Sequence, residues 1–169
     1  MKWTLYVAAA LAAGQPTQAI ERGMVIAGGE LDPAIPGAEV YLNPPASGAV
    51  PPGRACALAA RYVELVSAGR AEEVADLYAD DAVILEPSRE NMRGIDAIRS
   101  FYRTRLATMK PQITAVAYTG DDRDCMVELV SKRELQGQMR YMLVSVDHFT
   151  LGADGKAIRM VAFARPPRR

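Results

Sequence analysis

The sequence predicts an α+β fold, a conical barrel formed by a curved, mainly antiparallel sheet with three helices packed over its concave face. Two observations predict it. Stretches with apolar residues at helical spacing dominate the first half of the folded part, interrupted by one short strand. Four alternating stretches follow, the last three divided by hairpin turn signals. Helix, helix, strand, helix and then an antiparallel meander places the helices together on one sheet.

The elements follow in chain order. In ACALAARYVELVSAG, Leu58, Tyr62 and Leu65 share one helical face, and Gly69 suits the stop. RAEEVADLYADDA reads as a second helix with Val74, Leu77 and Tyr78 turned inward. AVILEP is a short strand closed by Pro87. GIDAIRSFYRTRL is a third helix with Ile95, Ile98, Tyr102 and Leu106 along one stripe. PQITAVAYT, CMVELVSKREL, QMRYMLVSVDHFTL and KAIRMVAFA are strands, with hairpins expected at Gly137 and at Asp154-Gly155.

The chain divides into four parts. Residues 1–19 resemble a secretory signal peptide: one early Lys, an apolar run from Trp3 to Ala13 and a polar end at Ala19. The run is too short to span a membrane comfortably, so no stable membrane span is expected; the alternative is an Ala-rich first helix. Export would place the protein in the periplasm or outside the cell, and without cleavage it stays in the cytoplasm. Residues 20–54 are rich in Pro and Gly and read as an arm or linker, although GMVIA and EVYLN could form short strands. The folded domain covers 55–165, and 166–169 form a basic tail.

Composition excludes several function classes. Of 169 residues, 50% are hydrophobic and 24% charged, the profile of a globular domain. Lys plus Arg and Asp plus Glu both number 20, so nothing marks a nucleic-acid binder. A single His and two Cys without paired-ligand spacing argue against a zinc or His-metal centre. Cys56 and Cys125 could pair in an exported protein, but spacing does not show whether they meet.

Chemistry first shows in SVDHFTLGADGK, where a core-like strand carries a carboxylate beside the chain's only histidine. Strand side chains alternate, so Tyr141, Leu143, Ser145, Asp147, Phe149 and Leu151 share one face. Met142, Val144, Val146, His148 and Thr150 take the other, towards solvent or a second copy. Asp147 thus lies among apolar and aromatic groups. A carboxylate there must find a donor or take up a proton, and a neutral acid can donate a hydrogen bond. Pattern alone leaves open a backbone N–H or an Arg as its partner. Glu86 shares a strand face with Ile84, but a strand-end acid ordinarily belongs in solvent. Tyr62, Tyr78 and Tyr102 all fall on inward helical faces, where most tyrosines are packing residues with a satisfied hydroxyl.

The stretches RYVELVSAG, LYADDAVILEP, GIDAIRSFY and VDHFTLGADGK resemble, in order and spacing, the nuclear transport factor 2-like (SnoaL-like) superfamily, and within it most closely bacterial Δ5-3-ketosteroid isomerase. The resemblance covers about Ala55 to Ala164. It implies that Tyr62 is the oxyanion tyrosine, Asp147 the protonated acid of the same oxyanion hole and Glu86 the general base. It implies supporting roles for Tyr78 and Tyr102. Phe149 and Phe163 are expected to line the pocket. A neutral aspartic acid in an oxyanion hole is the established arrangement of ketosteroid isomerase itself. The implied substrate is a hydrophobic small molecule, no cofactor or metal is called for, and a homodimer is expected. Two departures stand out. The family base is an aspartate, one methylene shorter than Glu86, and the last strand offers Phe163 without a clear match to the usual aromatic.

Overall fold

The computed structural model describes residues 25–26, 29–30, 49–86, 91–135 and 138–164, with side chains described from 49 to 132 and from 145 to 163 within these ranges. The expected strand EVYLN, the turn at Gly137 and the basic tail lie outside them.

Among the described residues three helices precede the meander: α1 (Arg54–Ser67), α2 (Ala71–Asp76) and α3 (Ile95–Met109). The small strands β1 (Val25–Ile26) and β2 (Gly29–Glu30) pair antiparallel with each other. The main sheet holds β3 (Tyr78–Leu85), β4 (Met92–Arg93), β5 (Gln112–Gly120), β6 (Asp124–Leu135), β7 (Gln138–Leu151) and β8 (Ala157–Ala164). Its order is β4-β3-β8-β7-β6-β5, and it curves without closing. All neighbours are antiparallel except β3 and β8, so the sheet is mixed.

The main departure from the sequence expectation is Tyr78. Its spacing from Val74 fits a helix, yet α2 ends at Asp76 and Tyr78 opens β3. The cause is tertiary. Ala157 N–H donates to Leu77 O at 2.9 Å and Tyr78 pairs with Ala157, so β8 draws the chain into the sheet. The register shifts between Tyr78 and Val83, and Asp80 and Asp81 within that interval are both exposed.

Helix α1 is seated by the β5–β6 hairpin. Arg54 N–H donates to Asp122 Oδ1 at 3.0 Å and Ala55 N–H to Asp121 O at 3.3 Å, which satisfies donors that a first turn leaves open. Gly53, at φ +141°, makes this approach possible: a Cβ there would lie 2.5 Å from Asp121 O. Cys56 is bonded to Cys125 with the Cα atoms 5.1 Å apart, which ties α1 to β6. Arg99 reaches Glu72 at 2.8 Å and Asp76 at 2.9 Å, and Arg103 also pairs with Glu72, joining α3 to α2 at the surface.

The core fills the space between the helices and the concave face. Ala59, Tyr62 and Leu65 from α1, Ile98, Tyr102 and Leu106 from α3, and Tyr78 and Ile84 from β3 meet Val127 and Phe149 of the meander. Leu58 and Ile95, expected to face inward, are only partly buried at the edge of this cluster. Among the described residues no helix is long and apolar enough to cross a membrane.

Candidate functional site

The site begins with strand parity on β7. Ser145, Asp147, Phe149 and Leu151 are all buried on the helix side. Asp147, 5% exposed, is carried into the core by the same alternation that buries Phe149. Across the core, α1 presents Tyr62 from its inward face. The Tyr62 ring packs on Phe149 with centroids 5.0 Å apart and lies edge-on to Tyr102 at 6.2 Å. The hydroxyls of Tyr78 and Tyr102 are hydrogen-bonded at 2.8 Å. Four elements, α1, β3, α3 and β7, therefore deliver three tyrosines and one carboxyl to a single buried cluster.

Burial dominates the electrostatics. The Asp147 carboxyl is pushed up to about 7, because its charged form would lie in a desolvated core. The Tyr62 hydroxyl and then the Arg105 guanidinium pull it back, the Glu86 carboxylate raises it, and the Ser145 hydroxyl lowers it. Burial also holds Tyr62 and Tyr78 well above the ordinary tyrosine value, and Tyr102 is raised for the same reason. Below about pH 7 the cluster is thus made of neutral O–H groups that can donate to an oxygen acquiring negative charge.

The second pole of the site is Glu86, the residue after β3. Pattern alone would leave it in solvent, but its side chain is 14% exposed and its Oε1 accepts a hydrogen bond from Arg105 Nη1 at 2.8 Å. Its carboxylate raises the Asp147 value, so the two acids lie within electrostatic reach of each other. A carboxylate near a set of O–H donors can take a proton from carbon while the donors hold the resulting oxyanion.

With this geometry in place, the SnoaL-like domain model matches residues 59–160, well over half of the chain. The chain belongs to the SnoaL-like family, within the nuclear transport factor 2-like superfamily. The chain is 30% identical over 112 residues to the steroid Delta-isomerase of Nocardioides simplex, a match that spans 65% of this chain and 89% of the relative. The solved structure of SalBIII, described as an epoxide hydrolase/cyclase-like enzyme in pyran ring formation in polyether salinomycin, matches with a TM-score of 0.56 at 21% identity. That match covers 63% of this chain and 87% of the SalBIII chain. It supports the fold.

In this SnoaL-like domain, Tyr62, Tyr78, Tyr102, Asp147 and Phe149 form one buried group, and Glu86 acts on it from the end of β3. Phe163 does not join them. It is 57% exposed and pairs across the sheet with Val146, which places it on the His148 face. Met160, opposite Phe149, is buried and faces inward from β8. The sequence reading also overlooked Arg105. It follows Tyr102 by three residues on α3 and so lies near the inward stripe, where a charged residue on a helix ordinarily reads as solvent-facing.

Proposed function

We propose that this protein is an allylic isomerase of the steroid Δ-isomerase type, acting on a hydrophobic β,γ-unsaturated ketone. The observation that carries the reading is the buried Asp147 carboxyl, raised to about 7 beside the Tyr62 hydroxyl and sharing a site with the Glu86 carboxylate. The steroid Delta-isomerase relative supports the same chemistry. Glu86 removes an α-proton and returns it two carbons further along the dienolate. Tyr62 and the protonated Asp147 donate to the oxygen that gains charge, and Tyr102 and Tyr78 hold Tyr62 in place from behind. Phe149 contributes apolar surface. Fixed donors in a dry site are the largest usual contribution to this kind of step. The reaction requires no cofactor or metal. The deciding experiment is conversion of a Δ5-3-ketosteroid by the purified protein, followed by enone absorbance; absence of turnover sinks the reading.

A second reading is a cyclase-like enzyme. SalBIII, of the same fold, is described as epoxide hydrolase/cyclase-like, and a neutral acid facing a carboxylate can protonate one oxygen while activating another. Ring closure of an epoxy alcohol by a preparation inactive on ketosteroids would favour it.

Two further properties belong to the proposal. Export after cleavage of residues 1–19 fits the Cys56–Cys125 disulfide, a bond that persists in oxidising compartments. N-terminal sequencing of the exported protein tests it, and an intact Met1 in that fraction is the contrary result. A homodimer fits the outer sheet face, where Met126 and Phe163 are exposed beside the half-buried Val146 and Val161. Sedimentation of wild type against Phe163→Lys tests it, and a monomeric wild type removes it.

A further inference from the structure

We propose that Arg105 is the positioning residue for Glu86: a guanidinium that fixes the longer carboxylate side chain in register with the Tyr62–Asp147 donors. The inference rests on the isomerase reading for the role of Glu86, but the geometry behind it is independent. Arg105 Nη1 donates to Glu86 Oε1 at 2.8 Å, and the two side chains are 27% and 14% exposed. The Arg105 guanidinium sits 5.4 Å from the centre of the Phe101 ring, one turn earlier on α3. A cation held over an aromatic face and ion-paired at its end has little freedom left. Oε2 of Glu86, the other carboxylate oxygen, is buried.

The arrangement answers the departure from the family pattern. A glutamate has one more rotatable bond than an aspartate and reaches one methylene further, so a base of this type needs something to fix its orientation. Arg105 supplies it from the helix that also carries Tyr102, whose hydroxyl is hydrogen-bonded to Tyr78. One helix thus supports the base at one point and the tyrosine cluster at another. The guanidinium charge reaches the donors as well: it pulls the raised Asp147 and Tyr62 groups back down. The groups that face this site are Tyr62 from α1, Tyr78 and Glu86 from β3 and its end, Tyr102 from α3, and Ser145 and Asp147 from β7.

The experiment compares wild type, Arg105→Lys, Arg105→Met, Glu86→Gln and the double variant Arg105→Met with Glu86→Gln. Urea unfolding needs no activity. The double variant is expected to lose less stability than the two single losses combined, by roughly five-fold or more in the unfolding constant. Kinetics on a Δ5-3-ketosteroid give the second readout. Arg105→Met lowers kcat by about 10²-fold, the typical consequence of a misplaced reacting group, while KM stays within about three-fold. Arg105→Lys, which keeps a charge but not the fork, recovers part of the rate. On the Glu86→Gln background, Arg105→Met adds nothing. Three results overturn the proposal: no coupling in unfolding, an unchanged kcat in Arg105→Met, or a further loss of the same size on the Glu86→Gln background. If wild type converts no ketosteroid, the isomerase reading falls on its own, and the unfolding cycle decides whether the pair fixes Glu86.

Discussion

Asp147 and His148 are chain neighbours that face opposite sides of the sheet: Asp147 is buried under the helices, and the His148 ring is hydrogen-bonded to Asp124 Oδ1 at 3.2 Å on the outer face. Thr150 donates to the same oxygen at 2.6 Å and accepts from Arg159 at 2.9 Å. The hydroxyl of Thr150 is directed at the carboxylate and not at the imidazole, so this network lacks a nucleophile–base pair. The proposed chemistry therefore gives His148 no role. His148→Gln leaves any isomerase rate within about three-fold, because it touches none of the groups that face substrate. A loss as large as that of Glu86→Gln contradicts the assignment.

The raised Asp147 carboxyl makes two predictions with one sign. Its value is about 7 in the folded protein against 3.8 for an ordinary aspartate. Burial penalises the charged form, so the stability this residue allows is full below 3.8 and is lost as pH rises to about 7. The loss is on the order of 4 kcal/mol for three pKa units. Urea unfolding of wild type at pH 5 and pH 8, set against Asp147→Asn, reads the part of the loss above pH 5, roughly 3 kcal/mol, and the variant should lack this part of the pH dependence. In activity, kcat/KM falls as pH rises through about 7, since the ionised acid can no longer donate to a forming oxyanion. Equal pH dependence in wild type and Asp147→Asn rules out the protonated-acid role.

Much of the fold was legible because parity and turns are local. Alternation along β7 placed Ser145, Asp147 and Phe149 on the buried face, and Asp154-Gly155 marked a real hairpin, with Gly155 at φ +81°. What escaped depends on partners far along the chain. Val74, Leu77 and Tyr78 fit helical spacing, and only the pairing of Tyr78 with Ala157 turns the last of them into a strand. Met92–Arg93 is too short to show any period. Arg105 was invisible for another reason. Charge on a helix ordinarily signals solvent, and only the burial of Glu86 draws the guanidinium inward. Phe163 was taken as a pocket residue for its aromatic type, although parity relative to Met160 sends it outward.

The Cys56–Cys125 bond was equally illegible, since it joins residues 69 positions apart. Cys125 is opposite Phe149 in the sheet, and Cys56 lies on the helix that carries Tyr62. The bond therefore ties α1 to β6, the strand next to the one whose Phe149 ring packs on Tyr62 at 5.0 Å. Reduction, or replacement of both cysteines by Ala, should cost about 2–5 kcal/mol of stability, the usual range for a native disulfide closing a long loop. Urea unfolding with and without a thiol reductant reads it directly. An unchanged midpoint shows that the remaining contacts hold α1 on the sheet unaided.

The last prediction concerns the proton itself. Glu86→Gln keeps the volume and planarity of the side chain, so binding of an apolar ketone survives and KM changes little. Proton transfer is lost, and kcat on a Δ5-3-ketosteroid drops by ~10²–10⁴-fold, the usual worth of a positioned general base. Arg105 retains an oxygen acceptor in the amide, so the local fold should hold; an unfolding midpoint near that of wild type confirms that the rate loss is chemical. Asp147→Asn serves as the contrast. It still presents a donor and is milder than Asp147→Ala, because the role proposed for Asp147 is to donate rather than to ionise. Glu86→Asp separates reach from basicity: it restores the family residue but draws the carboxylate back from Arg105 by one methylene. If Arg105 defines the working position of the base, Glu86→Asp loses rate although it still presents a carboxylate. Full turnover by Glu86→Gln would remove Glu86 as the base and with it the isomerase mechanism.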